Sequence, residues 1–227
     1  MNAKKLSFLL LILVAVACTN RSTSSEQDEM RHWNNVLQQI NALLLENKAR
    51  QTLDLAKQTL PEILESAEKN GTTDTLIYYA RKIFNACGNN YINTKQYKDG
   101  IDYMDSIGNH PLIREHCPHE LLSFKAGLNQ LYGNNPEAVR LAEDYLQLPV
   151  CTSANDFIRQ AEIISGVYMY SGNNLPKAIQ ILEKAIDVYR KGGNFPNMLR
   201  IMSRLGIYYH LSGEYEKAIA TNQEAIA

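Results

Sequence analysis

Cysteine is scarce in this 227-residue chain, with four in all. That is too few to staple a core, so the fold must rest on buried apolar surface. Charge of one sign is equally lacking. The 23 basic and 24 acidic side chains nearly cancel and form no block, which excludes a nucleic-acid stripe or a basic membrane-surface helix. Sustained alternation of the strand kind is missing. So are the short motifs of catalysis: a glycine-rich phosphate loop between strand and helix, a His-Glu zinc helix, a Gly-x-Ser-x-Gly elbow. Aspartates and glutamates are dispersed over expected outer faces. The chain therefore reads as a non-enzyme that carries no cofactor. A membrane-spanning run is lacking as well, because the apolar stretch from Leu6 to Ala17 falls short of the roughly 20 residues that cross a bilayer as a helix.

That stretch has another use. Lys4 and Lys5 precede it as a positive n-region, and it ends in Ala15-Val16-Ala17-Cys18, the layout of a secretory leader over residues 1–17. The last four residues resemble a bacterial lipobox, although the family more often carries Leu where Ala15 stands. The resemblance implies that the Cys18 thiol takes a lipid. The plainer alternative is an ordinary signal peptide cut near Ala17. Residues 18–27, with Thr19-Asn20-Arg21-Ser22-Thr23-Ser24-Ser25-Glu26 at their centre, are small and polar, as a flexible tether requires. No Asp follows Cys18 to signal inner-membrane retention. By resemblance to bacterial lipoproteins the expected place is the cell envelope, on the outer membrane and facing the periplasm.

From residue 28 onward the pattern is helix after helix. Apolar residues recur at three- and four-residue spacing, as in Ala178, Ile181, Leu182, Ala185, Ile186 and Tyr189. Breaks rich in Gly, Asn and Pro separate the helices at Gly71-Thr72-Thr73, Gly133-Asn134-Asn135-Pro136, Gly172-Asn173-Asn174 and Gly192-Gly193-Asn194. Pro136 and Pro176 sit where helices should begin, since a first-turn residue has no N–H to lose. The chain also repeats itself. Ala138, Ala178 and Ala218 are spaced by 40 residues, and the same shift superposes Ala126, Gly166 and Gly206 twelve places upstream. Gly88 and Gly100 keep that separation. Small residues at a fixed offset let two antiparallel helices approach closely, and pairs that cannot bury their apolar faces alone must stack.

These residues resemble the tetratricopeptide repeat, whose first helix carries a large residue, Leu-Gly and Tyr, and whose second carries Ala, a large residue, Ala and Pro. The last unit has Met202, Leu205-Gly206, Tyr209, Ala218 and Ala225, with Asn222 in place of the large residue. Earlier units keep Gly166, Ala178, Leu182 and Ala185; Ala126, Ala138 and Tyr145; Phe84, Gly88, Tyr91, Gly100 and Met104. The first has Trp33, Ala49, Leu53, Ala56 and Pro61, with Leu37 in place of the glycine. The resemblance implies an all-α superhelix over 28–227, a solenoid of about five hairpins near 30–63, 74–112, 119–150, 156–192 and 196–227. A spacing of 40, against about 34 in the family, calls for longer helices or connectors. The chain stops at Ala227 inside the expected second helix of the fifth unit. The reading favoured here is that it is the front of a longer protein; the other is that the open end packs on a partner.

In this family the concave face is lined by first-helix residues. By register these are Lys82, Asn85, Asn89 and Asn93, then Gln130, then Gln160, Val167 and Tyr170, then Arg200, Arg204, Ile207 and His210. Such a lining suits an extended peptide or a helix of a protein partner. Arg200 and Arg204 match the cationic unit of family members that grip a terminal carboxylate. Ser123, Gly127 and Ile164 occupy the other positions, so the grip is incomplete. His110, His116, Cys117 and His119 cluster in one connector, but their spacing fits no zinc pattern and Pro111 and Pro118 explain the segment as a loop; no metal is expected. Cys117 and Cys151 should lie at one end of the third hairpin, which leaves a disulfide open, and Cys87 beside Gly88 reads as buried. The expected function is a lipid-anchored protein-binding scaffold of the envelope, without nucleic acid as a partner. The alternatives are the sensor portion of a signalling regulator with its kinase or DNA-binding output elsewhere, or an outer-membrane assembly lipoprotein.

Overall fold

The computed structural model describes residues 27–149, 154–192 and 195–226. The expected leader, Cys18, the tether up to residue 26 and Cys151 lie outside the described residues. Gln27, the last residue assigned to the tether, is already helical.

Every regular element among the described residues is an α-helix, and the helices pair into hairpins. The first hairpin joins α1 (residues 27–45) to α2 (Ala49–Asn70). The second joins α3 (Asp74–Asn93) to α4 (Tyr97–Ile107), and a short α5 (Pro111–His116) follows. The third is α6 (Pro118–Tyr132) with α7 (Asn135–Gln147), the fourth α8 (Ala154–Tyr170) with α9 (Leu175–Gly192), the fifth α10 (Phe195–Leu211) with α11 (Tyr215–Ile226). First helices stack on one another, α3 on α6, α6 on α8 and α8 on α10. This is the α-α superhelix expected from the repeat.

A residue of left-handed backbone closes each of the five hairpins. Asn47, Lys95, Gly133, Asn173 and Gly213 each adopt positive φ, and each second helix begins two residues later. In four of the turns the residue after the left-handed one donates its N–H to a carbonyl five places back: Lys48 to Leu43, Gln96 to Tyr91, Asn134 to Asn129 and Glu214 to Tyr209, at 2.8–3.1 Å. These are Schellman bonds, which satisfy carbonyls that the helix end would otherwise leave orphaned. The fourth turn is wider, with Asn174 reaching Tyr168. A left-handed residue every 40 positions from Gly133 is thus the backbone counterpart of the alanine period.

Two clusters of buried side chains run along the stack. One extends from Trp33 to Leu128 and the other from Ala126 to Ala218, and α6 contributes to both. The small residues do different work at different units. A Cβ on Gly88 would meet the Phe124 ring at 2.4 Å, so the glycine lets the next unit insert an aromatic. On Gly206 it would meet Asn222 of the same hairpin at 2.4 Å. On Gly166 the nearest atom is Gln130 Oε1 at 3.8 Å, which is ordinary contact. Close helix approach therefore demands a glycine at Gly88, where a packed ring stands in the way; at Gly206 the obstacle is the exposed Asn222 amide, which can turn aside, and at Gly166 nothing stands close.

Two prolines behave differently from the sequence expectation. Pro61 does not close the first unit near residue 63, because α2 continues to Asn70. Pro61 is exposed, so the hydrogen bond it lacks falls on the solvent side, where water replaces it. The segment 110–119 is not a loop. Pro111 opens α5, with His110 accepting the Leu112 N–H at 3.2 Å as its cap, and Pro118 opens α6.

Candidate functional site

First helices present one face to their neighbours and another to a trough. Two clefts mark that trough. The first, about 340 Å³, lies between α1 and α3 and is lined by Leu37, Leu44, Tyr78, Lys82, Asn85 and Asn89, among others. It holds three of the residues expected on the concave face. Lys82 Nζ stands 5.8 Å from the Tyr78 ring centre, within cation–π range. Asn89 donates to the Asn85 carbonyl at 2.9 Å. Beneath them Asn90 is fully buried and lines the same cleft. Its Nδ2 donates to the Ala86 carbonyl at 2.8 Å, while its Oδ1 has no hydrogen-bond partner among the described residues.

The second cleft, about 190 Å³, is bounded by α3, α6, α8 and α10, with Ile92, Gln130, Arg159, Ile163, Tyr170 and Arg204 in its wall. Tyr170 is 69 % exposed there. The clefts meet at a hydrogen bond, Arg159 Nε to Asn89 Oδ1 at 2.7 Å.

In the wall of the second cleft sits Glu162, a carboxylate only 2 % exposed. Arg200 Nε lies 2.7 Å from its Oε1 and Arg159 Nη1 lies 3.6 Å from its Oε2. Arg204 Nη1 donates to its backbone carbonyl at 2.9 Å. One helix turn on α10 and one on α8 thus bring three guanidinium groups onto a single acidic residue. Burial pulls Arg159 below the usual guanidinium range; Glu162 opposes this and Arg200 and Arg204 add to it. Sequence reasoning passed over Arg159 and Glu162. Their signal was an Arg-x-x-Glu spacing that puts opposite charges on one helix face.

Other expected residues fall elsewhere. Gln160 is not in the trough: it is 2 % exposed, and its Oε1 accepts from the Tyr145 hydroxyl at 3.1 Å in the interface between the third and fourth hairpins. Val167 is buried as well. On α8 the trough face is 159, 163, 166 and 170, which keeps the expected Tyr170 but replaces the expected 160 and 167 with the residues just before them. His210 is exposed and packs edge-on to Tyr215 at the last turn, outside both clefts, and Asn93 ends α3 on the exposed surface. Ser123 and Ile164, where a terminal-carboxylate grip would need polar side chains, are fully buried.

The histidine cluster disperses. His110 pairs with Glu68 at 3.1 Å, His119 lies 2.7 Å from the Pro149 carbonyl, and Cys117 is buried. Among the described residues no three His, Cys, Asp or Glu side chains converge as metal ligands. Cys87 is buried, with its sulfur 3.8 Å from the Tyr103 hydroxyl. Among the described residues no helix is long and apolar enough to cross a membrane.

The geometry agrees with known solenoids. No curated protein matches the chain. The nearly identical TPR-like repeats of a Podosopora anserina kinesin light chain superpose at TM-score 0.52 and 12 % identity, covering 85 % of this chain and 92 % of that one. BtubC (BKLC) from P. vanneervenii superposes at TM-score 0.57 and 12 % identity, covering 78 % and 72 %. At such identity the likeness is one of fold. In sequence, residues 161–227 match the profile of the tetratricopeptide repeat family. The fold is that of a tetratricopeptide-type solenoid, and its last third carries the family's sequence pattern.

Proposed function

We propose that this protein is a scaffold of the cell envelope, lipid-anchored through Cys18, whose trough holds a protein or peptide partner and catalyses nothing. The carrying observation is the trough itself: two joined clefts whose walls offer amides, guanidinium groups and exposed aromatic rings in a row, the lining that binds extended chains. The repeat fold supports this reading, because stacked hairpins spend their apolar surface on each other and leave one long face for a guest. The envelope address rests on the leader and on the lipobox resemblance at Cys18.

Affinity capture from membranes with the lipidated protein tests it. Partners identified by mass spectrometry are compared between the wild type and an Arg204→Ala, Tyr170→Ala variant. The reading requires at least one partner that the variant loses. Identical partner sets would move the binding surface away from the trough.

A further inference from the structure

The Arg159–Glu162–Arg200–Arg204 cluster is built but not neutral. Three guanidinium groups face one carboxylate, so two positive charges stay uncompensated within the cluster. Each guanidinium carries five N–H donors, and the contacts among the described residues use only a few. Glu162 already shows what these donors accept: a carboxylate. Its own Oε2 makes no hydrogen bond, since the 3.6 Å to Arg159 is too long for one. The arginines are thus spread around their internal anion, each with donors to spare.

A second observation lies in the adjoining cleft. Asn85 and Asn89 line it one helix turn apart, and the buried Asn90 Oδ1 is unpartnered there. Side-chain amides pair with peptide N–H and C=O groups, and Leu37, Leu44 and Tyr78 supply apolar wall beside them. Nucleic acid fits poorly with such a wall and with a chain whose charges nearly cancel. The cations belong to the later part of the trough, on α8 and α10. The positions that would complete a grip on a chain terminus, Ser123 and Ile164, are buried.

Resting on the scaffold reading above, we propose that the trough binds an extended acidic segment internal to its partner's chain. The segment's carboxylates sit on Arg159, Arg200 and Arg204, and its backbone and apolar side chains lie along the asparagine-lined cleft between α1 and α3. Glu162 then acts as a resident competitor that keeps the arginines splayed when the trough is empty.

A random 12-residue peptide library, displayed with its C-terminus fused so that no free carboxylate is offered, is panned against the full chain in detergent. The expected winners carry an excess of at least two acidic residues. A synthetic, amidated winner should lose about tenfold or more in affinity on Arg200→Gln or Arg204→Gln, the loss of a charge-assisted hydrogen bond, and bind more weakly as salt rises. Glu162→Gln should tighten binding, a sign that a merely structural role would not produce. Helical circular dichroism of each variant confirms that it is folded, and Arg200→Lys serves if Arg200→Gln is not. Winners without acidic excess that are lost on Asn85→Ala with Tyr170→Ala overturn this inference and leave the scaffold reading standing. So do acidic winners indifferent to the arginines. Displacement of the peptide by an oligonucleotide of equal charge at equal concentration overturns the peptide assignment. No enrichment at all, or enrichment blind to every trough substitution, overturns both.

Discussion

Gly88→Ala isolates the contact by which one unit admits the next. The added methyl would lie 2.4–2.5 Å from three atoms of the Phe124 ring. That ring is buried and edge-on to Phe84, with centroids 6.1 Å apart, so it cannot swing aside without surrendering its own packing. Overpacking of a filled core costs about 1–3 kcal/mol, and three ring atoms in overlap put this case near the top, at about 3 kcal/mol. Removing a helical glycine returns about 0.5–1 kcal/mol. The net is about 2 kcal/mol of destabilisation, which for a domain of this size lowers Tm by about 4–8 °C. Gly166→Ala is the matched control. Its methyl meets nothing nearer than Gln130 Oε1 at 3.8 Å, so only the propensity gain remains, and Tm should rise by about 1–4 °C. Thermal melts followed by circular dichroism decide it. If Gly88→Ala melts as high as Gly166→Ala, the small-residue account of the stacking is wrong.

Three further outcomes follow from the same geometry. Burial pushes the Cys87 thiol up to about 12, against the milder opposing effects of the Tyr103 hydroxyl and Lys57; native protein should leave Cys87 unalkylated by iodoacetamide at pH 8 and release it in guanidinium, as peptide mass spectrometry would show. Because the unfolded thiol titrates near 9.0, only the unfolded state sheds this proton just above that pH. The stabilising contribution is whole below about pH 9 and disappears between there and about 12, so denaturant midpoints should fall across that window in the wild type and less steeply in Cys87→Ala. Gln160→Ala should cost about 1 kcal/mol in urea unfolding by removing the hydrogen bond from the Tyr145 hydroxyl, yet leave partner capture unchanged; lost capture would restore Gln160 to the trough. Cys18→Ala should abolish labelling by a fatty-acid analogue and move the protein from the membrane to the soluble fraction, whereas unchanged partitioning would remove the lipid from the account.

The hairpins were legible because their signal is repeated. Ala138, Ala178 and Ala218 mark the same turn of three second helices, and Gly133, Asn173 and Gly213 mark the turns before them. Lys95 gave no such mark: its left-handed backbone is imposed by the Schellman bond around it and not by side-chain preference, whereas Asn47 is of a type that tolerates that region but falls outside the 40-residue period. Short α5 was hidden because a proline can open a helix as readily as it can mark a loop, and sequence alone does not say which. In the trough the first-helix faces were found and one register was not. Gln160 and Arg159 are adjacent on α8, and a 3.6-residue period cannot separate neighbouring faces of a helix that is apolar on most sides. The pairing of Glu162 with guanidinium groups from two hairpins is a tertiary event, visible only once α8 and α10 are stacked.

The face of the stack that meets the partner is what most directly decides whether the trough is the binding surface. A photo-crosslinking amino acid placed at Asn85 or Tyr170, and separately at exposed Lys184 on α9, reads this out in intact cells. Adducts should form from the two trough positions and not from Lys184; adducts from Lys184 alone would mean that the hairpins bind with their outer helices and that the trough is empty surface.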